Sequence, residues 1–144
     1  MTSSIKASLR PRKRLYSMSF VEVTMARKII IAVRDMFFAA RIRGTAERLG
    51  LSPAFATSAD QLLEWARTEK PHLIIFDLND ARYRPLETIR QLKADGDLAD
   101  IQLIGYLSHV QVDLHRRARE AGCDQVLTKS AFTQRLPEIL SLMT

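Results

Sequence analysis

With 144 residues, 47% hydrophobic and 26% charged, the chain suits one α/β domain with a real core and is too short for two. No apolar run approaches the roughly 20 residues that cross a bilayer, so a membrane-spanning helix is not expected. The single cysteine, Cys123, excludes an intrachain disulfide and a clustered thiolate metal site, and it fits a soluble protein of the reducing cytoplasm.

Of the net charge of +6, residues 1–24 carry +4, as Lys6, Arg10, Arg12, Lys13 and Arg14 against Glu22. That leaves +2 for residues 25–144, too little for a nucleic-acid footprint on the globular part. Residues 1–26 therefore read as a flexible basic segment, with RPRKR as a stretch that touches polyanions weakly through counterion release. Two other readings stay open: a transit peptide, since the first 21 residues hold no Asp or Glu, or a true start at Met25. Residues 27–144 form the expected domain.

The first strand is expected at Ile29 to Val33, apolar at every position and followed by Arg34 and Asp35. A helix then carries Phe38, Ile42, Ala46 and Leu49 on one stripe and stops at Gly50. Ala54 to Thr57 is a short second strand. Ser58 with Gln61 makes a capping-box pattern ahead of Leu62, Leu63 and Ala66, and Pro71 ends that helix. The run HLIIFDLND from His72 then gives the central strand, buried on both faces and ending in Asp77 at the carboxyl edge, where ligands collect in open α/β sheets. Pro85 starts a third helix through Leu86, Ile89 and Leu92, closed by Gly96. Leu103 to Leu107 is the fourth strand. Leu114, Ala118 and Ala121 line a fourth helix stopped by Gly122, and Val126 and Leu127 form the fifth strand. The last helix holds Leu136, Ile139, Leu140 and Met143, with Pro137 tolerable only near its first turn. Five strands alternating with five helices predict a doubly wound, five-stranded parallel sheet in the order 2-1-3-4-5, the flavodoxin-like or CheY-like three-layer sandwich.

The pieces KIIIAVRD, HLIIFDLND, IQLIGYLSH and AGCDQVLTKSAF, with Asp77 ending strand three and Lys129 ending strand five, resemble the receiver domain of response regulators, the CheY-like family, over residues 27–143. The resemblance implies a phosphoryl acceptor at Asp77, loaded by a histidine kinase, with Lys129 as charge partner and Mg²⁺ held by an acidic pair after strand one. The ungapped match places Val33 and Arg34 at that pair. A one-residue slip would place Arg34 and Asp35 there, leaving Asp35 and Asp77 as the metal carboxylates. The switch hydroxyl falls on Leu107 with Ser108 beyond it, Val126 stands at the aromatic switch position, and Ser130 follows Lys129 in place of proline. Lys129 and Arg34 are expected to neutralise Asp77.

These departures point to an atypical, non-enzymatic receiver that works by itself as a protein–protein interaction module of two-component signal transduction. No cofactor is expected unless Mg²⁺ binds. It would be a monomer or weak homodimer, with a partner face that includes the fourth helix, at Arg116, Arg117 and Arg119, and the last helix; those arginines read first as a solvated helix face and second as a contact patch. The alternatives are a functional single-domain response regulator phosphorylated on Asp77 and a flavodoxin-like small-molecule binder. The third lacks a glycine-rich phosphate turn. His72, His109 and His115 are too scattered for hydrolytic chemistry, and Trp65 and Phe132 read as packing residues.

Overall fold

The computed structural model describes residues 28–144, so the segment 1–26 and the three readings of it lie outside the described residues. Runs of consecutive apolar residues form strands because both of their faces find cover. These strands are β1 (Ile29–Ala32), β2 (Ala54–Phe55), β3 (Leu73–Asp77), β4 (Gln102–Leu107) and β5 (Gln125–Thr128). Every pairing is parallel, and the order β2-β1-β3-β4-β5 is the 2-1-3-4-5 arrangement that the alternation predicts.

Among the described residues five α-helices cover the sheet: α1 (Met36–Arg48), α2 (Ala59–Glu69), α3 (Pro85–Ala94), α4 (Val112–Ala121) and α5 (Lys129–Ser141). Side-chain alternation divides the interior in two. Ile29, Ile31, Leu73, Ile75, Ile104 and Tyr106 pack under Phe38 and Ile42 of α1 and Phe132, Leu136 and Ile139 of α5. Ile30, Ile74, Phe76, Leu103 and Leu107 face the other way, toward Leu62 of α2, Ile89 of α3 and Ala118 of α4. Asp77, two residues beyond Ile75, therefore belongs to the α1/α5 side, whereas Leu107 belongs to the opposite one.

The helix signals act largely as their chemistry requires. Ser58 caps α2 by accepting from Gln61 N–H at 3.1 Å, and the Gln61 side chain reaches back to Thr57 N–H at 2.8 Å, one residue earlier than a standard box. Pro85 is the first residue of α3, and Gly122, at φ 118°, supplies the left-handed turn that ends α4.

Four boundaries differ from expectation. β1 stops at Ala32, although Val33 stays buried, and β2 is only two residues long. Lys129 does not end a strand but opens α5, because the Thr128 hydroxyl accepts from Ala131 N–H at 3.2 Å and starts the helix there. Ser130 thus lies in the first turn of α5, joined to Lys129 by a trans bond. Pro137 sits deep inside α5 rather than near its start, at an exposed position where the helix gives up one backbone donor. Among the described residues no helix is long and apolar enough to cross a membrane.

Candidate functional site

The carboxyl edge of the sheet gathers the ends of β1, β3 and β4 and the start of α5. Asp77, half-buried as the last residue of β3, turns the chain: its Oδ1 accepts from Asn79 N–H at 2.9 Å. Asn79 Oδ1 in turn accepts from Ser108 N–H at 2.8 Å, tying the loop after β3 to the loop after β4. Leu78 N–H donates to the Tyr106 carbonyl at 3.0 Å, extending the β3–β4 ladder one step past the carboxylate. Burial is the largest influence on Asp77 and raises its pKa above the ordinary value; the Asn79 N–H, the Lys129 charge and the Tyr106 hydroxyl oppose it, and Asp80 adds to it.

The cations are not where the sequence reading puts them. Lys129 Nζ lies 3.8 Å from Asp35 Oδ2 and 4.6 Å from the centre of the Phe38 ring, so its recorded partner is Asp35 rather than Asp77. Asp35 is doubly engaged, since its Oδ1 caps α1 by accepting from Phe38 N–H at 2.9 Å. That bond, with Lys129 helping, holds its pKa below the ordinary value. Arg34 is exposed and turned away, its guanidinium donating to the Thr57 carbonyl at 3.4 Å. The cause is the early end of β1: with Val33 buried, Arg34 falls outside the sheet on the β2 side and Asp35 is drawn into the helix cap. Among the described residues no Lys or Arg forms an ion pair with Asp77.

The switch positions are likewise spread out. Leu107 and Val126 are buried on the α2–α4 side, and Ser108 is an exposed loop residue. Leu107 and Val126 line, with Val110, Val112, Thr128 and Ala131, an apolar groove of about 520 Å³ between α4 and β5. Arg116 lines the same groove and pairs with Asp113 of its own helix, Arg117 faces a separate groove beside α3 and leans on the same carboxylate, and Arg119 donates to the Asp124 carbonyl at 2.7 Å. Those arginines form a self-paired solvated face of α4.

The donors present do not fit the usual Mg²⁺ set. A magnesium ion takes oxygen ligands, commonly one or two carboxylates together with phosphate and water. Here Asp77 spends Oδ1 on Asn79 N–H, Asp35 is taken by the cap and Lys129, and Val33 and Arg34 cannot ligate. Among the described residues no group of three His, Cys, Asp or Glu side chains could hold a metal ion.

Sequence reasoning missed Tyr106. It is the register partner of Asp77 across β3 and β4, so the two side chains leave the same face of the sheet side by side. Its ring is 2% exposed and locked by Phe38 at 5.1 Å and Phe132 at 5.2 Å between centroids. Burial pushes its pKa far up, and the Asp77 charge adds to this.

No protein-family model matches the sequence, and no curated protein matches it significantly. Its fold is nevertheless widespread, with 223 solved chains matching. A response regulator from Hahella chejuensis superposes with a TM-score of 0.74 at 19% identity, over 81% of this chain and 94% of its own. The phosphorylated cyanobacterial phytochrome response regulator RcpA gives 0.68 at 17%, over 81% and 90%. The Mn²⁺-bound form of response regulator Rcp1 gives 0.65 at 16%, over 81% and 91%. At such identities the likeness defines a fold, and that fold is the CheY-like one of response regulator receiver domains.

Proposed function

We propose that this chain is an atypical receiver domain that works in signal transduction as a protein–protein interaction module, with its switching by aspartyl phosphate weakened. The observation that carries this reading is the commitment of Asp35 to the α1 cap and Lys129, which leaves Asp77 without a second free carboxylate for a metal. Phosphoryl transfer depends on positioning and charge neutralisation, so a site without its metal ligands loads slowly. Leu107 and Val126 add a second reason, since neither offers the hydroxyl or the ring that would relay a change at Asp77. Its partner contacts use the apolar groove between α4 and β5, where Arg116 is held by Asp113. On this reading the protein acts in the cytoplasm, as a monomer or weak homodimer, and is not an enzyme.

A second reading, a response regulator phosphorylated on Asp77 by a histidine kinase, is favoured by the absence of any ion pair on that carboxylate among the described residues and by the absence of any recorded bond to its Oδ2. Intact-mass measurement after incubation with a small phosphodonor and Mg²⁺ separates the two. The first reading predicts at most a minor phosphorylated fraction, absent in Asp77→Asn; stoichiometric gain of one phosphoryl group per chain would establish the second.

A further inference from the structure

Among the described residues two tyrosines, Tyr83 and Tyr106, are fully enclosed, and their hydroxyls are used differently. Tyr83 donates to the Ala56 carbonyl at 2.6 Å. The Tyr106 hydroxyl is equally buried and has no hydrogen bond of good geometry; it leans on the Asp77 carboxyl alone, close enough to help lower that group's pKa. A polar group enclosed without a partner costs stability, and a protein that keeps one where phenylalanine would fit needs a reason for it. Here the hydroxyl lies beside Asp77, fixed by the strand register and by the rings of Phe38 and Phe132, close enough for each group to influence the other's titration. Of Asp77's two oxygens, Oδ1 is taken by Asn79 N–H, and Oδ2 has no recorded bond. The hydroxyl-bearing positions that the resemblance implies are empty of function: Leu107 has none, and Ser108 is exposed and held by its backbone to Asn79. Polar contacts in an unliganded site are often long or misaligned and tighten only when the reacting group arrives.

We propose that the Tyr106 hydroxyl is the donor of an oxyanion site at Asp77: inside the aromatic cluster it makes no well-formed hydrogen bond until the carboxylate carries a phosphoryl-type group, and then donates to one of that group's oxygens. Lys129, 4.6 Å from the centre of the Phe38 ring, supplies the nearby positive charge. The inference rests on Asp77 being an acceptor, however slow, and it gives this chain a donor one residue before the position where one is anticipated.

The test is Tyr106→Phe, titrated alongside the parent with beryllofluoride in the presence of Mg²⁺ and followed by amide NMR, with thermal unfolding measured on both. Affinity for the mimic should fall by about tenfold or more, the loss of one hydrogen bond to a charged group. The unfolding temperature should be no lower than the parent's, because an unsatisfied hydroxyl has been removed. Tyr83→Phe should show the opposite pattern, a lower unfolding temperature with mimic affinity kept. Equal affinity in parent and Tyr106→Phe overturns the donor role while leaving Asp77 an acceptor. A parent that binds no mimic overturns the acceptor reading and the donor with it.

Discussion

Asp77 is poorly compensated as an ionised group: half-buried, next to Asp80, and helped by one backbone N–H, the Tyr106 hydroxyl and a lysine that pairs with another carboxylate. Its folded pKa is raised above the ordinary 3.8, chiefly by burial. A carboxylic acid shifted upward contributes stability at low pH that is lost as pH rises through the folded value. Asp77→Asn, which keeps an oxygen for Asn79 N–H, should therefore unfold at a higher temperature than the parent at neutral pH. The advantage should shrink as pH falls and vanish below 3.8, where both side chains are neutral. Equal unfolding temperatures at neutral pH would show that the carboxylate is better solvated than its position at the end of β3 implies. Such a destabilising charge is what a functional site retains and a merely structural position loses.

At the scale of elements, the β3–β4 junction fixes the site. Gly105 on β4 lies across from Phe76, and a Cβ there would meet Leu78 Cδ1 and Cγ at 2.7 Å. Gly105→Ala should cost about 1–3 kcal/mol, read as a lower denaturant midpoint, because Leu78 can yield only by moving the turn that follows Asp77. An unchanged midpoint would mean that Leu78 repacks freely. The strands and helices themselves were legible in the sequence, since a strand buried on both faces writes itself as an unbroken apolar run and the stops at Gly50, Gly122 and Pro71 are strong. Asp77 could be placed for the same reason, by where HLIIF ends. Which way residues face could not be read. In IQLIGYLSH both faces are apolar, so no period of two separates Tyr106, beside Asp77, from Leu107, on the opposite side. The reversal of Arg34 and Asp35 depends on β1 ending at Ala32, a one-residue boundary that apolar Val33 conceals. Thr128 is a sound helix cap, but its signal was masked by reading Lys129 as the end of a strand.

Across the whole molecule, the two faces of the sheet separate what a receiver-like switch has to join. Asp77, Tyr106, Asp35 and Lys129 collect on the α1/α5 side, whereas Leu107 and Val126 open onto the groove between α4 and β5, rimmed by the exposed Val110 and Val112. Coupling between sites requires an element with two arrangements that both sites bias, and Leu107 and Val126 give the groove no polar or aromatic lever on Asp77. The most direct measurement is an amide NMR map of the parent saturated with beryllofluoride and Mg²⁺. The account predicts shifts confined to Asp77, the turn through Asp80, and Tyr106 with its aromatic neighbours, with Val110 and Val112 unmoved. Shifts running through Leu107 and Val126 to α4 would contradict it and make the protein a fully coupled response regulator.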